Sequence, residues 1–333
     1  MIILMAPGES EKNNNQYIKL FCESLPSEID VVNFTFPKAI FGKYEILHVH
    51  WPDRLFRADS KAKTYIKRVL LLILILKVFF FRIPTIWTVH DKSPHEKMTL
   101  FEFFLHSAFN RILASRIYLQ PDDEFNPDRD FIIMHGNYEK EVIQINREPR
   151  LEAKSVVCVG FQRPSKNIEE LIFKFPTLSK YQLEILGQPI SSEYGHHLLR
   201  LGNQRPDITL VLQRLTANQL LEAYENCLCS IIPYLNTYNS GAALFSLSIP
   251  RPVIATYSKS MSDLQEEVGT QWLQLIPQNF ESADIIEALE NLSLTRHLRN
   301  YVSVLSNQRE WRLIGIQHSN AYSKILKRAI SRW

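Results

Sequence analysis

Short apolar runs alternate along the chain with longer stretches in which apolar residues recur at helical spacing. A short apolar run is typical of a strand buried on both faces, and its alternation with helices is typical of a parallel sheet that helices cover. In the first half, this pattern predicts strands at 2–5, 29–34, 46–50, 85–89, 117–119 and 131–134. It predicts helices at 16–24, 61–81 and 100–113.

The same alternation begins again after residue 154, with predicted strands at 155–159, 181–186, 208–212, 228–233 and 252–255. The helices between and after them are predicted at 167–173, 192–201, 216–226, 241–247 and 284–292. The preceding stretch, 146–154, is polar, contains Pro149 and is typical of a domain linker. We therefore expect an α/β protein with two Rossmann-like domains, 1–148 and 149–316. A C-terminal helix within 317–333 is expected to pack back on the first domain.

Composition limits the possible functions only broadly. The length of 333 residues suits two domains, and 45% apolar with 22% charged residues is typical of a folded globular protein. The net charge of +3 is too small to indicate nucleic-acid binding. The four cysteines form no C-x-x-C pair and are interpreted as reduced residues of a cytoplasmic protein. No basic segment precedes the first apolar run, so we predict a strand there rather than a signal peptide.

Two loops that follow predicted strands of the second half carry groups that suit a diphosphate. Ligands of an open parallel sheet bind beyond the carboxyl ends of its strands. Gly160 is followed by Arg163 and Lys166, two cations that could hold phosphate oxygens. Tyr234 opens a second loop, which ends at Asn239-Ser240-Gly241 before a helix whose first N–H groups could attract an anion. Taken alone, each loop is equally well explained as a solvated basic turn or an ordinary helix cap.

Polar residues also follow strands of the first half. Trp51 could stack on a sugar and Asp53 could be a general base, although a structural tryptophan and a surface Asp-Arg pair explain them equally well. His90 and Asp91 follow the next strand and suit proton transfer.

Two weaker signals lie nearby. His95 and Glu96 follow His90 and Asp91, but no third ligand stands at a spacing that fits a metal site. At His135-Gly136 a predicted strand enters a glycine turn, which could let the backbone approach a substrate.

The segment Lys61–Arg82 joins basic residues to a long apolar run, and no acidic residue occurs between Asp59 and Asp91. The run is too short to span a membrane and is interrupted by Lys77. A helix resting on an anionic membrane would explain both features, and a buried helix with basic ends explains them nearly as well. We favour peripheral contact with an anionic membrane.

These motifs, in this order, resemble the GT-B glycosyltransferases over nearly the whole chain. Within that group they resemble the bacterial exopolysaccharide enzymes that include the xanthan-type β-mannosyltransferases. The resembling segments in the first half are HVHWPD (48–53), WTVHD (87–91), PHE (94–96) and HGNY (135–138). Those in the second half are VGF (159–161), KN (166–167), NSG (239–241), RPVIA (251–255) and EVGTQW (267–272).

The resemblance implies a GT-B fold, in which two Rossmann-like domains face a central cleft. It also implies transfer of a sugar, best interpreted as mannose from GDP-mannose, to a lipid-linked or glycan acceptor on the cytoplasmic face of the cell membrane. By that analogy, the residues that bind the nucleotide-sugar donor are Gly160, Arg163, Lys166, Tyr234, Asn239, Ser240 and Gly241. Those that bind the acceptor are Glu9, Trp51, His95, Glu96, His135 and Gly136. We expect Asp53 to be the base, with His90 and Asp91 as the next candidates.

The chain departs from the wider GT-B pattern in two places. Thr237 and Phe245 stand where many retaining relatives carry paired glutamates, which favours an inverting reaction. Gly8-Glu9-Ser10 stands where many relatives have a double-glycine loop. Because a fixed cationic loop can replace a metal, we expect no metal and no cofactor.

Two alternatives remain at this stage. The missing glutamates are compatible with a non-catalytic GT-B-like scaffold that binds sugar in a polysaccharide assembly complex. A sugar-nucleotide epimerase or a dehydrogenase would share the two-domain architecture, but the G-x-G-x-x-G turn that dehydrogenases need is absent after the first strand.

Overall fold

The computed structural model describes residues 1–8, 15–58, 60–92, 98–142, 153–177, 180–235, 237–295 and 304–330. The chain forms two compact units. The first unit comprises Met1–Gly136 and Gln308–Trp333, and the second comprises Asn137–Asn307. The polar stretch expected to be the linker lies largely outside the described residues.

The first unit is built on a parallel six-stranded sheet with the strand order β2-β1-β3-β4-β5-β6. Its strands are β1 (Ile2–Ala6), β2 (Asp30–Asn33), β3 (Ile46–Val49), β4 (Thr85–Val89), β5 (Leu113–Tyr118) and β6 (Phe131–Ile132). The helices between them are α1 (Gln16–Ser24), α2 (Phe36–Phe41), α3 (Lys61–Phe80) and α4 (Leu100–Arg111). A 3₁₀ turn, Pro52–Leu55, follows β3.

The second unit is a second parallel six-stranded sheet, ordered β12-β11-β10-β7-β8-β9. Its strands are β7 (Ser155–Val159), β8 (Gln182–Leu186), β9 (Ile208–Val211), β10 (Cys227–Ile232), β11 (Val253–Thr256) and β12 (Leu273–Ile276). Its helices are α5 (Ile168–Lys174), α6 (Ser192–Gly202), α7 (Ala217–Asn226), α8 (Gly241–Ser248), α9 (Lys259–Val268) and α10 (Ser282–Leu294). The expected α/β class with two Rossmann-like sheets is confirmed.

The core of the second unit shows why the strands are apolar throughout. Val156 and Cys158 of β7 face one apolar cluster, whereas Val157 and Val159 face another on the opposite side of the sheet. Successive side chains of a strand point to opposite faces, so a strand that is covered twice carries no polar alternation. The cysteine lies in this core with a free thiol, and burial raises its pKa to about 12.

The last helix, α11 (Trp311–Ile330), returns the chain to the first unit and packs against α1. It begins earlier than the helical spacing after residue 317 indicated. Its first turns bury Trp311 and Ile314 but expose Leu313 and Ile316, so the apolar residues there do not mark a single helical face.

Other elements were also absent from the sequence prediction, namely α2, α9 and β12. The first of these has six residues, too few to show a helical period, and is started by the Thr35 cap and Pro37. Among the described residues, no helix is both long enough and apolar enough to cross a membrane.

Candidate functional site

The order of the strands in the second sheet reverses between β7 and β10. These two strands are hydrogen-bonded neighbours, although β8 and β9 separate them in sequence. Such a switch point is where open α/β sheets bind ligands. Lys166 lies here, with its Nζ 4.7 Å from the centroid of the Tyr234 ring. The same Nζ is 2.7 Å from where a side chain on Gly160 would begin. The structure therefore brings together three residues that the sequence assigned to the donor site.

Close approach of the backbone fixes the turn around Gly160. This residue has φ +134°, and Gly187, at the end of β8, has φ +133°. A Cβ on Gly187 would stand 2.0 Å from the Gly160 carbonyl oxygen, so only glycine fits. The buried Gln162 amide donates to the carbonyls of Gly160 (2.8 Å) and Leu186 (3.1 Å). Neither Gln162 nor Gly187 was predicted, although glycine directly after both β7 and β8 is a signal that could have identified the second.

Arg163 adds a second cation to this turn. Its side chain is half-buried, with the guanidinium carbon 5.4 Å from the centroid of the Phe161 ring. Its Nε atom is buried and has no hydrogen-bond partner among the described residues. Burial raises the pKa of the Tyr234 phenol, while the charges of Lys166 and, to a smaller extent, Arg163 oppose that rise. Both cations thus act on the same hydroxyl group.

The loop after β10 leads into the amino terminus of α8. Ser240 caps this helix by accepting a hydrogen bond from the N–H of Ala243 at 3.2 Å. The first N–H groups of a helix have no partner within it, so those of Gly241 and Ala242, which the cap does not use, remain available to an anion. Asn239 and Gly241 are half-buried beside the cap. Asn239 or Ser240 could cap this helix by the sequence, and in the structure Ser240 does so.

Two further polar groups lie close to this helix start. The Tyr138 hydroxyl is 3.4 Å from the position that a Cβ would take on Gly241. Thr237 is buried, and its Oγ1 has no hydrogen-bond partner among the described residues. The Thr237 carbonyl accepts from Ser260 of α9 at 3.0 Å, which anchors the loop. Sequence reasoning did not assign either side chain to the donor site.

The first sheet places aromatic rings and imidazoles at its carboxyl edge. Trp51 follows β3 and stacks on His90, which follows β4, with ring centroids 4.4 Å apart. The Arg54 guanidinium lies 5.0 Å from the centroid of the tryptophan ring. His90 Nε2 is 3.1 Å from His50 Nδ1, so one ring donates to the other. His50 Nε2 is buried without a partner among the described residues.

Burial disfavours the charged form of the imidazoles at this edge. Burial lowers the pKa of His48, His50 and His90 well below 6.5, and their mutual repulsion lowers it further. Burial also lowers the pKa of His135 and of His318 to about 4. His48 is held between the Tyr322 hydroxyl at 2.7 Å and the Thr88 hydroxyl at 2.8 Å. The hydrogen bonds of His48 thus link β3 to β4 and to α11.

A cavity of about 400 Å³ opens beside Trp51 at the carboxyl ends of β1, β2 and β3. Arg54 and Lys67 line it together with Asn33 and Phe34. Asp53 belongs to the adjoining 3₁₀ turn and is partly exposed, and its charge acts on His106 of α4. Asp91 directly follows His90 and is also partly exposed.

Of the other residues predicted to bind the acceptor, the structure describes two, His135 and Gly136. Gly136 is close-packed within its own unit, because a Cβ there would meet the Trp311 ring at 2.3 Å. His135 is buried beside it, and its carbonyl accepts from Arg309 at 3.0 Å. The absence of a side chain at Gly136 therefore leaves room for the Trp311 ring. Glu9, His95 and Glu96 lie outside the described residues.

No group of three histidine, cysteine, aspartate or glutamate side chains among the described residues is arranged to hold a metal ion. Five histidines of the first unit lie close together, but they donate and accept hydrogen bonds with neighbouring rings, hydroxyls and carbonyls; they are His48, His50, His90, His135 and His318.

Comparison with known proteins decides the class of activity. No protein-family model matches the chain. It is 27% identical to the GDP-mannose:glycolipid 4-beta-D-mannosyltransferase of Xanthomonas campestris pv. campestris over 97% of this chain and 92% of that protein. The structure is similar to HepE from Anabaena, solved in complex with UDP and glucose, with a TM-score of 0.68 at 11% identity over 97% and 99% of the two chains. The chain is a GT-B glycosyltransferase.

Sucrose-phosphate synthase from Thermosynechococcus elongatus shares the fold too, with a TM-score of 0.65 at 13% identity over 98% of this chain and 99% of that one. The resemblance to GT-B enzymes that the motifs of this chain indicated is confirmed.

Proposed function

We propose that this glycosyltransferase moves mannose from GDP-mannose to a lipid-linked or glycan acceptor in bacterial surface polysaccharide synthesis. The meeting of Lys166, Tyr234 and Gly160 at the switch point of the second sheet is the observation that carries the donor site. The choice of mannose, GDP and a glycolipid rests on the name of the Xanthomonas relative.

Charge stabilisation is the main task at this site. As the sugar leaves, negative charge develops on the nucleoside diphosphate, and fixed cations and N–H groups lower the energy of that state. Lys166 supplies a point charge, Arg163 a planar set of donors, and the start of α8 a cluster of N–H groups. We propose that these groups replace a metal ion.

The double substitution Arg163→Ala and Lys166→Ala tests this assignment. Loss of both cations should lower turnover of the nucleotide sugar by about 10³-fold, since each group stabilises the departing charge. The matched control is Arg200→Ala, which removes an exposed cation from α6 of the same unit. Near-normal turnover in the double variant would contradict the assignment. If the wild-type protein binds the donor but neither transfers nor hydrolyses it, the scaffold alternative is correct.

We propose an inverting reaction. GDP-mannose is an α-glycoside, so a β-mannoside product, such as the name of the relative specifies, requires inversion. Phe245 packs between the rings of Tyr138 and Tyr224, and Thr237 bears a hydroxyl, so neither position offers the carboxylate that retaining relatives carry. One base that deprotonates the acceptor is then sufficient.

Asp53 is our first candidate for that base, with Asp91 second. Both are partly exposed at the carboxyl edge of the first sheet. His90 is less suited, because burial lowers its pKa well below 6.5 and makes it a weak proton acceptor near neutral pH. Its contact with Trp51 instead supports a role in holding the tryptophan ring against the acceptor.

An Asp53→Asn variant separates these candidates. If Asp53 is the base, its rate should fall by about 10²- to 10⁴-fold while nucleotide binding stays unchanged. Asp123→Asn, which alters an exposed acid of the same unit, is the control. An Asp53→Asn enzyme that retains its rate would transfer the assignment to Asp91.

Peripheral membrane contact is supported by the surface of the first unit. Neighbouring helices α3 and α4 expose an apolar face made of Tyr65, Ile66, Val69, Ile73, Leu76, Phe79, Phe80, Leu100, Phe101, Phe103 and Phe104. Only Leu71, Leu74 and Val78 of α3 are fully buried among its described residues, which disfavours a core helix. Exposed apolar area of this extent, flanked by lysines and arginines, suits the boundary of an anionic bilayer. We propose that Lys61–Arg82 contacts the inner face of the cell membrane.

A further inference from the structure

A cavity of about 880 Å³ lies in the first unit where β4 and β5 begin. The ends of α3, α4 and α11 and the loop before β6 surround it. This volume is within the range of ligand sites. Because strands β4 and β5 begin here, the cavity is at the opposite edge of the sheet from Trp51 and His90. It is therefore separate from the proposed acceptor site.

Arginines outnumber carboxylates in the lining of this cavity. Arg82, Arg111, Arg129 and Arg328 contribute to it, against Asp128. Arg129 is paired with the buried Asp130 at 2.9 Å. Guanidinium groups bind phosphate through two parallel hydrogen bonds, so several of them around one cavity suit a phosphate-bearing ligand.

The backbone conformation of Arg82 is a second, independent observation that points to a role for its side chain in this cavity. Arg82 follows the end of α3 with φ +52°, the left-handed conformation in which a helix commonly ends on glycine. The N–H of Ile83 reaches back to the Val78 carbonyl at 3.0 Å, as in a glycine-capped helix. A side chain at this position adds strain that glycine would avoid. Arginine nonetheless stands at this position, and it lines the cavity.

The edge of the cavity shows what kind of phosphate fits. Phe79 and Phe80 line it, and with Phe81 they are 65%, 73% and 73% exposed. A free phosphate ion would gain nothing from phenyl rings. A phospholipid joins its phosphate to acyl chains, so it would satisfy the arginines and cover the rings together.

We propose that this cavity binds the phosphate-bearing headgroup of an anionic phospholipid, while Phe79–Phe81 enter the adjoining bilayer boundary. The inference rests on the proposed membrane contact and adds to it a specific headgroup site. A general electrostatic attraction would depend only on surface charge, whereas this site would require a phosphate group that reaches into the cavity.

Vesicle flotation of the full-length protein tests the site. One set of vesicles contains phosphatidylcholine and phosphatidylglycerol, and the other obtains the same surface charge from oleate in phosphatidylcholine. The wild-type protein should bind the phosphatidylglycerol vesicles about fivefold or more tightly, as expected for at least one charge-assisted hydrogen bond to the headgroup phosphate. The variant Arg82→Gly with Arg111→Gln should lose this preference. Its fold should be retained, because glycine suits the left-handed backbone and Arg111 is exposed.

Lys327→Gln is the matched control, since it removes an exposed cation one residue away from Arg328. It should keep the preference. Equal loss in the control, or an unchanged preference in the double variant, would overturn the headgroup site. The arginines would then serve only to offset the negative ends of the three helices.

Two further outcomes separate this site from the membrane proposal. Tight binding of the wild-type protein to both kinds of vesicle would keep the membrane contact and reject the headgroup site. Absence of binding to either would reject both. In lipid-free solution, a rise in melting temperature with inorganic phosphate that disappears in the double variant would indicate a free-anion site instead, and would also contradict the proposal.

Discussion

The buried imidazoles of the first unit make its stability depend on pH. Burial lowers the folded-state pKa of His135 and His318 to about 4, against about 6.5 in an unfolded chain. The folded state therefore disfavours their protonation. The stability that they contribute is complete above pH 6.5 and is lost as the pH falls from 6.5 towards 4.

We predict a loss of about 2 kcal/mol per residue for His135 and His318 between pH 7 and pH 5. Urea unfolding monitored by tryptophan fluorescence would measure it, because Trp51, Trp87 and Trp311 belong to the first unit, against Trp272 of the second. The variant His318→Gln should show a weaker dependence of its unfolding midpoint on pH. His196→Gln, at an exposed position, should behave like the wild type. An unchanged pH dependence in His318→Gln would show that this imidazole does not titrate as described.

Single residues of the donor site differ in how far sequence could reveal them. Lys166, Tyr234 and Ser240 follow strands of a recognisable parallel sheet, so the rule that ligands bind at strand ends selects them. Tyr138 comes from a distant part of the chain, and only the folded second unit brings its hydroxyl to Gly241. Gln162 stands in the predicted loop but acts through backbone carbonyls, which no pattern of side chains records.

At the scale of elements, the packing of α11 on α1 depends on one glycine. A Cβ on Gly315 would stand 1.9 Å from the carbonyl oxygen of Ser24, at the end of α1. The contact involves backbone, so it cannot be relieved by a change of rotamer. The two helices can approach this closely only without a side chain at residue 315.

Gly315→Ala should therefore destabilise the first unit by about 1–3 kcal/mol through overpacking. The sign of the change in unfolding free energy is informative, because glycine-to-alanine in an exposed helix stabilises that helix by about 1 kcal/mol. Gln317→Ala, an exposed position on α11, is the control and should have little effect. A raised unfolding midpoint in Gly315→Ala would contradict the close approach of these helices.

Most elements could be predicted because burial on both faces makes the strands of a parallel sheet apolar throughout. The elements that were not predicted are short or lack such an apolar run. Helix α9 has an interior with few apolar residues, and β12 follows it within a few residues. The segment Lys61–Arg82 shows the reverse case, since a strong apolar signal correctly predicted a helix but left open whether it is buried or exposed. The structure exposes much of it.

For the molecule as a whole, the class of enzyme follows from two agreeing observations. The sequence alignment with the Xanthomonas mannosyltransferase covers 97% of the chain at 27% identity. The structural alignment with HepE covers 97% of it with a TM-score of 0.68. The second sheet also has the strand order of a dinucleotide-binding fold, with its switch point at Lys166.

Calorimetric titration with GDP and UDP, in the absence of metal, tests the donor site most directly. We predict that GDP binds the wild-type protein more tightly than UDP does. The variant Arg163→Ala with Lys166→Ala should bind GDP about 100-fold or more weakly, as expected for the loss of two charge-assisted contacts. Arg200→Ala should bind like the wild type. Equal GDP affinity in the double variant and the wild type would contradict a donor-phosphate site at Arg163 and Lys166.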